Sequence, residues 1–216
     1  MKAQTQSDQE ATLYVYDVID DWWGIDAESF VKEVNSLNVN TLHVRINSPG
    51  GDVFTARAMQ TALSQHPANV VVHVDGLAAS AATFLAMAAS EVRISTGAFF
   101  MIHKGWSFCM GNSDDMIQQS KLLDTIDQTI CDDYSKRTGM SPDQVMTMMT
   151  EETWLDAEQA VSHGFADVLC ELVEDESTAQ NRCFDLSAYQ NAPENYQPNH
   201  HQAVRAHLER RLSLIA

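Results

Sequence analysis

The 216-residue chain is short of cations: 13 Lys and Arg stand against 30 Asp and Glu, a formal net charge of -17. A surface that negative repels phosphate backbones and anionic lipid headgroups, which argues against partnership with nucleic acid or a membrane surface. Long apolar runs are missing as well. No stretch approaches the roughly 20 residues of a membrane span, and Met1–Glu10 has no apolar secretion core. Cysteine is scarce and scattered. Cys109, Cys131, Cys170 and Cys183 form no CxxC pair, so free thiols in a reducing compartment are expected rather than disulfides or a metal. His200, His201 and His207 lie in a polar stretch without Cys or carboxylate partners at ligand spacing, so neither a metal nor another cofactor is expected.

What is present is an ordinary globular composition, 44% apolar and 20% charged, at a length that suits one domain with a tail. Residues 1–11 are polar and read as a disordered N-terminus. Leu13–Val18, Leu42–Ile46 and Val70–Val74 read as strands, the last apolar enough to be buried on both faces. Helices are expected after Asp26, over Val53–Ser64 and over the alanine-rich Ala78–Ala89, with Asp75–Gly76 turning the chain before the last. Short strands follow at Val92–Ser95 and Phe99–His103. Repetition of strand, turn and helix argues an α/β fold with a largely parallel sheet.

Beyond a loop at Lys104–Gly111, Ser113–Arg137 is one long helical pattern with Met116, Leu123, Ile126, Ile130 and Tyr134 at helical spacing. A helix opening at Ser141–Pro142–Asp143, an extended Thr153–Leu155, a helix from Asp156 to His163–Gly164 and a final strand over Phe165–Leu169 complete the domain, drawn at 12–170. Residues 171–216 are an acidic and polar linker. It ends in an amphipathic helix with Val204, Leu208, Leu212 and Ile215 on one stripe. That helix either docks on its own domain or binds a partner.

Four features carry chemistry. Ser48–Pro49–Gly50–Gly51 follows a strand, and its glycines allow a tight turn with bare amides that can hold a developing oxyanion. Ser80 sits among small residues at a strand-to-helix junction, where a nucleophile is approachable and the next amide, Ala81, can donate to an oxyanion. His103 ends an apolar strand, where it can meet a loop-borne nucleophile. Glu151–Glu152 precedes the apolar Trp154–Leu155, where a carboxylate can orient an imidazole. Each has an ordinary structural explanation by itself: a plain turn, a helix-start serine, a core histidine, a solvated acidic pair. Their order along one chain is what asks for a common cause.

Ile46–Val53, Gly76–Ala81, Met101–His103 and Trp154–Asp167 resemble, in order and spacing, the glycine-turn, nucleophile, histidine and post-acid segments of the Clp protease proteolytic subunit (ClpP) family. The form is most similar to the Clp-like serine proteases of phage and prophage head maturation. The resemblance implies a ClpP/crotonase-like fold of repeated β-β-α units with a projecting handle helix at 113–137. It also implies a catalytic set of Ser80, His103 and Glu152, with Gly51 and Ala81 amides as the oxyanion hole. The family's usual third residue is aspartate; Glu152 stands in its position, with Glu151 as the substitute. Further implications are a polypeptide substrate such as a capsid or scaffold protein, homo-oligomeric rings (heptamer or tetradecamer), and residence in the bacterial cytoplasm or a phage prohead. An unfoldase ATPase is a further partner, although the N-terminal segment and the tail depart from the housekeeping enzyme. Two other readings are a crotonase-like acyl-CoA enzyme, which needs no Ser–His pair, and a non-catalytic ring-forming assembly protein.

Overall fold

Strand β2 (Glu10–Val15) and strand β3 (Thr41–Ser48) lie parallel, and β3 alternates buried and half-buried residues along its whole length. Leu13, Leu42, Val44 and Ile46 face the core with no exposed surface. Helix α1 (Ala27–Ser36), capped by Asp26, and helix α2 (Val53–Gln65), capped by Asp52, press Phe30, Val34, Met59 and Leu63 into the same core. Burying an apolar side chain of this size stabilises the fold by roughly 1.5–3 kcal/mol. The computed structural model describes residues 3–7, 9–171 and 184–193. The chain divides into two compact units, Met1–Val173 and Glu174–Ala216. In the second, Tyr189 N–H closes a turn on the Leu186 carbonyl at 3.0 Å. The expected amphipathic helix through Val204, Leu208, Leu212 and Ile215 lies outside the described residues, as do Cys183, His200, His201 and His207.

Among the described residues the sheet has eight strands: with β1 (Gln4–Ser7), β4 (Asn69–Ala79), β5 (Glu91–Ser95) and β8 (Val168–Cys170) the order is β1-β2-β3-β4-β5-β8, and β6 (Phe99–Ile102) and β7 (Thr153–Asp156) branch from β4. β4 (Asn69–Ala79) causes the branch. Its first half pairs with β5 (Glu91–Ser95), and its last three residues, Leu77–Ala79, pair with β6 (Phe99–Ile102), both parallel. β7 (Thr153–Asp156) closes antiparallel on β6, and β8 (Val168–Cys170) runs parallel to β5. The expected turn at Asp75–Gly76 is therefore absent: both residues lie inside β4. Gly76 serves a close approach instead, because a Cβ there would stand 2.9 Å from Asn47 Oδ1. Nor does the expected helix begin at Ala78. A 3-10 turn at Ser80–Ala82 precedes the short α3 (Thr83–Met87), buried from Ala81 to Ala86 as the alanine-rich sequence requires.

Two further expectations change. The N-terminus contributes β1 (Gln4–Ser7), an edge strand antiparallel to β2, where residues 1–11 read as disordered. Its polar residues carry no apolar alternation, and the ladder of β2 supplies the order instead. β4 is apolar on its core face, but its other face is only partly closed. His73 stands half-buried beside His43, with 3.0 Å between ring nitrogens, and Asp75 is held by Arg45 and by the Tyr16 hydroxyl at 2.6 Å.

Helix α4 (Ser113–Thr138) runs for 26 residues from an Asn112–Asp115 capping box to Gly139, which takes the left-handed cap at φ 75°. Its C-terminal half buries Ile130, Cys131 and Tyr134, whereas Met116, Ile117 and Leu122 near its start are exposed. α5 (Pro142–Thr150) and α6 (Ala157–Ser162), each with a capping box, carry the chain to β7 and β8. Among the described residues no helix is long and apolar enough to cross a membrane.

Candidate active site

The register of three strands converges on one point. Ala79 on β4 pairs with Met101 on β6, so Ser80 and His103 leave the sheet side by side. Ile102 pairs with Thr153 on β7, so Glu152 arrives next to His103 from the other flank. Ser48 on β3 pairs with Ala78, which carries the Gly50–Gly51 turn to the end of β4.

At that point His103 Nε2 lies 2.7 Å from Ser80 Oγ. Ser80 holds φ 53°, a left-handed conformation that a non-glycine residue adopts only where the surroundings enforce it. The enforcing contacts are close by. The Ser80 carbonyl accepts a hydrogen bond from Thr83 Oγ1 at 2.6 Å, and Thr83 Oγ1 lies 2.5 Å from the buried Tyr134 hydroxyl of α4. Burial pushes the Tyr134 phenol well above its ordinary value, which keeps it a neutral partner.

Gly50 and Gly51 hold φ 91° and 145°. A Cβ on Gly50 would fall 2.5 Å from the Ala79 carbonyl oxygen and 2.9 Å from both Ser80 Cβ and the Ala81 nitrogen. One on Gly51 would fall 2.0 Å from the Ile19 oxygen. Gly50 is thus needed for backbone to lie against the serine turn, and Gly51 for backbone to lie against Ile19, as well as for their angles. Ser48 fixes the turn, with its Oγ donating to the Asp17 carbonyl at 2.7 Å and accepting from Gly50 N–H at 3.1 Å.

The two candidate acids separate. Glu151 is exposed, whereas Glu152 is half-buried, holds φ 50°, and accepts the Trp154 indole N–H at 3.1 Å. Burial pulls the His103 imidazole below its ordinary value; the negative charges of Glu152 and then Asp127 pull it back up. A ring so placed is neutral near neutral pH and has stabilising charge ready when it takes a proton. The arrangement can therefore deprotonate the Ser80 hydroxyl as it attacks an acyl carbon.

Sequence reasoning passed over Asp127, Thr83, Tyr134 and Trp154. Asp127 had a visible sign: it falls on the helical row of Leu123, Ile130 and Tyr134, a charge in an apolar stripe. The other three had none, because a buried hydroxyl pair or an indole–carboxylate bond exists only once the strands are assembled.

Comparison with known proteins agrees with this architecture. A profile of the Clp protease family matches residues 10–172. The chain is 27% identical over 128 residues to the ATP-dependent Clp protease proteolytic subunit 1 of Leifsonia xyli, covering 58% of this chain and 65% of that relative. It is 26% identical over 166 residues to the ATP-dependent Clp protease proteolytic subunit 2 of Tropheryma whipplei, covering 74% and 90%. Against the proteolytic subunit of Deinococcus radiodurans it covers 63% of the relative, so the chain spans just under two thirds of some of the curated relatives it matches. Among solved structures, a point mutant of ClpP1 from Listeria monocytogenes superposes with a TM-score of 0.67 at 21% identity over 74% of this chain and 91% of that one, a likeness of fold.

Proposed function

The chain belongs to the Clp protease family, and from that premise we propose that it is a serine endopeptidase whose nucleophile is Ser80. The observation that carries the reading is the 2.7 Å contact between His103 Nε2 and Ser80 Oγ, at a serine held in a left-handed turn. Ser80 Oγ attacks the peptide carbonyl as His103 Nε2 takes its proton. The tetrahedral oxyanion sits between the amides of Gly51 and Ala81, a contribution of about 2.7–4 kcal/mol per donor in comparable sites. The imidazolium returns the proton to the leaving amine, and a water molecule repeats the sequence on the acyl-enzyme. Glu152 holds the ring's tautomer and offsets its charge; its half-burial and its indole contact support it over the exposed Glu151. The chemistry draws on protein groups throughout.

The substrate in this reading is a polypeptide, of the capsid or scaffold kind, cut in the bacterial cytoplasm or a prohead by rings of this chain. The resemblance to head-maturation proteases supports the substrate, and the exposed Met116, Ile117 and Leu122 of the handle helix support assembly. An active-site-directed fluorophosphonate tests the chemistry. Labelling of the wild-type protein and its absence in Ser80→Ala are expected; wild-type protein that stays unlabelled overturns the reading.

A further inference from the structure

A second carboxylate reaches the histidine from a different element. Asp127 sits on the core-facing row of α4 with 2% of its surface exposed. A charge taken out of water that far is strongly destabilising unless it is paired and hydrogen-bonded. Its partners are the two residues that follow His103. Oδ1 accepts the Gly105 N–H at 2.7 Å, and Oδ2 lies 3.4 Å from Lys104 Nζ. The same short segment is tied from the other side, where Lys104 N–H donates to the Met149 carbonyl at the end of α5 at 3.1 Å.

We propose that Asp127 is a positioning residue for His103: it clamps the backbone just beyond the histidine and presents a second negative charge, besides Glu152, to the imidazolium that forms when Ser80 gives up its proton. The proposal rests on the serine-peptidase reading above. Its charge is felt at the ring, since Asp127 follows Glu152 among the influences that raise the imidazole against the effect of burial. The charges felt at the ring are Glu152 before β7 and Asp127 on α4; Ser80 at the end of β4 stands against it, and Lys104 in the histidine's own loop pairs with Asp127. Lys104 tempers Asp127, and its half-exposed side chain leaves that tempering incomplete. Two carboxylates, one before β7 and one on α4, give the base both an orientation and a stabilising charge.

A purely structural clamp would hold the loop and leave the titration of the ring alone, and this separates the two roles. Asp127→Asn keeps an oxygen to accept the Gly105 N–H and removes the charge. Lys104→Met removes the tempering cation at a tolerant, partly exposed position. The measurement is the rate of fluorophosphonate labelling against pH, on the full chain, with folding checked by thermal melting. In Asp127→Asn, labelling slows by roughly tenfold, because the imidazolium that forms in the transition state has lost a negative neighbour while the clamp on the loop is kept. Its acid limb moves to lower pH, since the ring has lost a negative neighbour. In Lys104→Met the acid limb moves to higher pH. An Asp127→Asn protein that folds and labels with the wild-type limb overturns the proposal and leaves Asp127 a structural clamp. If Asp127→Asn does not fold, an unmoved limb in Lys104→Met overturns it equally. Failure of the wild-type protein to label strikes the serine-peptidase reading itself, an outcome distinct from a labelled wild type with unmoved limbs.

Discussion

Ser80 and Glu152 are the two non-glycine residues, among those described, that hold left-handed backbone angles, φ 53° and φ 50°, and both act on His103. Such conformations cost of order 1–3 kcal/mol each and persist where neighbouring contacts enforce them. At Ser80 the enforcement comes through Thr83 and Tyr134, and at Glu152 through the β7 pairing and the Trp154 indole. The left-handed turn at Ser80 accompanies its contact with His103 Nε2, and the one at Glu152 accompanies its acceptance of the Trp154 indole N–H.

Ser80→Ala and His103→Ala should each abolish peptide hydrolysis with the fold retained, and the double variant should be no worse than either single one, because the pair acts as a unit. Ser80→Gly should be equally inactive yet more stable than Ser80→Ala by about 1 kcal/mol, since alanine keeps the Cβ that penalises a left-handed residue. Peptidase assays and thermal melts on the four variants check both parts. An alanine variant as stable as the glycine one would mean that the backbone at Ser80 is not strained.

Glu152→Gln should lower turnover severely and Glu151→Gln hardly at all. Glutamine can still take the indole N–H but supplies no charge to the imidazolium. Steady-state kinetics on the two variants would show the ranking. The reverse order would transfer the role to Glu151, and its exposure would then have to disappear on substrate binding or assembly.

How far the sequence carried varies along the site. The meeting of Ser80 and His103 was legible because each directly follows a strand in a short run whose neighbours are fixed by local chemistry, small residues in one case and apolar ones in the other. Gly76 was misread because Asp-Gly is a turn signal by itself. What overrides it is that β4 exchanges β5 for β6 as its neighbour and stays extended across the change. Asp127 stands on an apolar helical row, which marks it as buried, but its partner in the loop after His103 exists only once the loop lies against α4. The polar face of β4 was hidden for a similar reason, since a run of valines predicts two buried faces and the single His73 decides otherwise.

The acid limb of kcat/KM should fall below the ordinary imidazole value, because burial lowers His103 more than Glu152 and Asp127 raise it. The reactive form is the neutral ring, so activity is retained above that limb and lost as pH falls through it. A pH–rate profile with a limb above the ordinary histidine value would contradict the burial seen here.

Stability should also fall on the acid side, for a different histidine. Burial, followed by the charge of Arg45, pushes His73 down to about 4. Between the ordinary value of 6.5 and that point the unfolded chain binds a proton that the folded one refuses. Stability from this group is therefore full above 6.5 and lost as pH falls toward 4. Asp75, raised by burial, works in the opposite sense. Melting temperatures from pH 7 down to about 4.5 should drop less steeply in His73→Gln than in the wild type; parallel curves would show that the ring stays solvated in the native state.

Assembly follows from where the handle helix runs out of core. Ile130 and Tyr134 are buried, Ile126 packs partly against the core, and toward the start Ile117, Met116 and Leu122 are 52%, 41% and 46% exposed. The loop before the helix adds Trp106, Phe108 and Met110, all more than two thirds exposed. Apolar side chains this large, gathered on one helix and the loop before it, are a surface that association would cover, and a repeated contact between copies would close into a ring if it were heterologous. Ile126 is a poor place to test this, because a charge there would damage the fold as well. Ile117→Asp alters only the exposed part. Sedimentation at physiological salt should give a multiple of 24.0 kDa for the wild type and a smaller species for Ile117→Asp with an unchanged melting profile. A wild-type protein that sediments as a fully active 24.0 kDa monomer would leave the exposed stripe without this role.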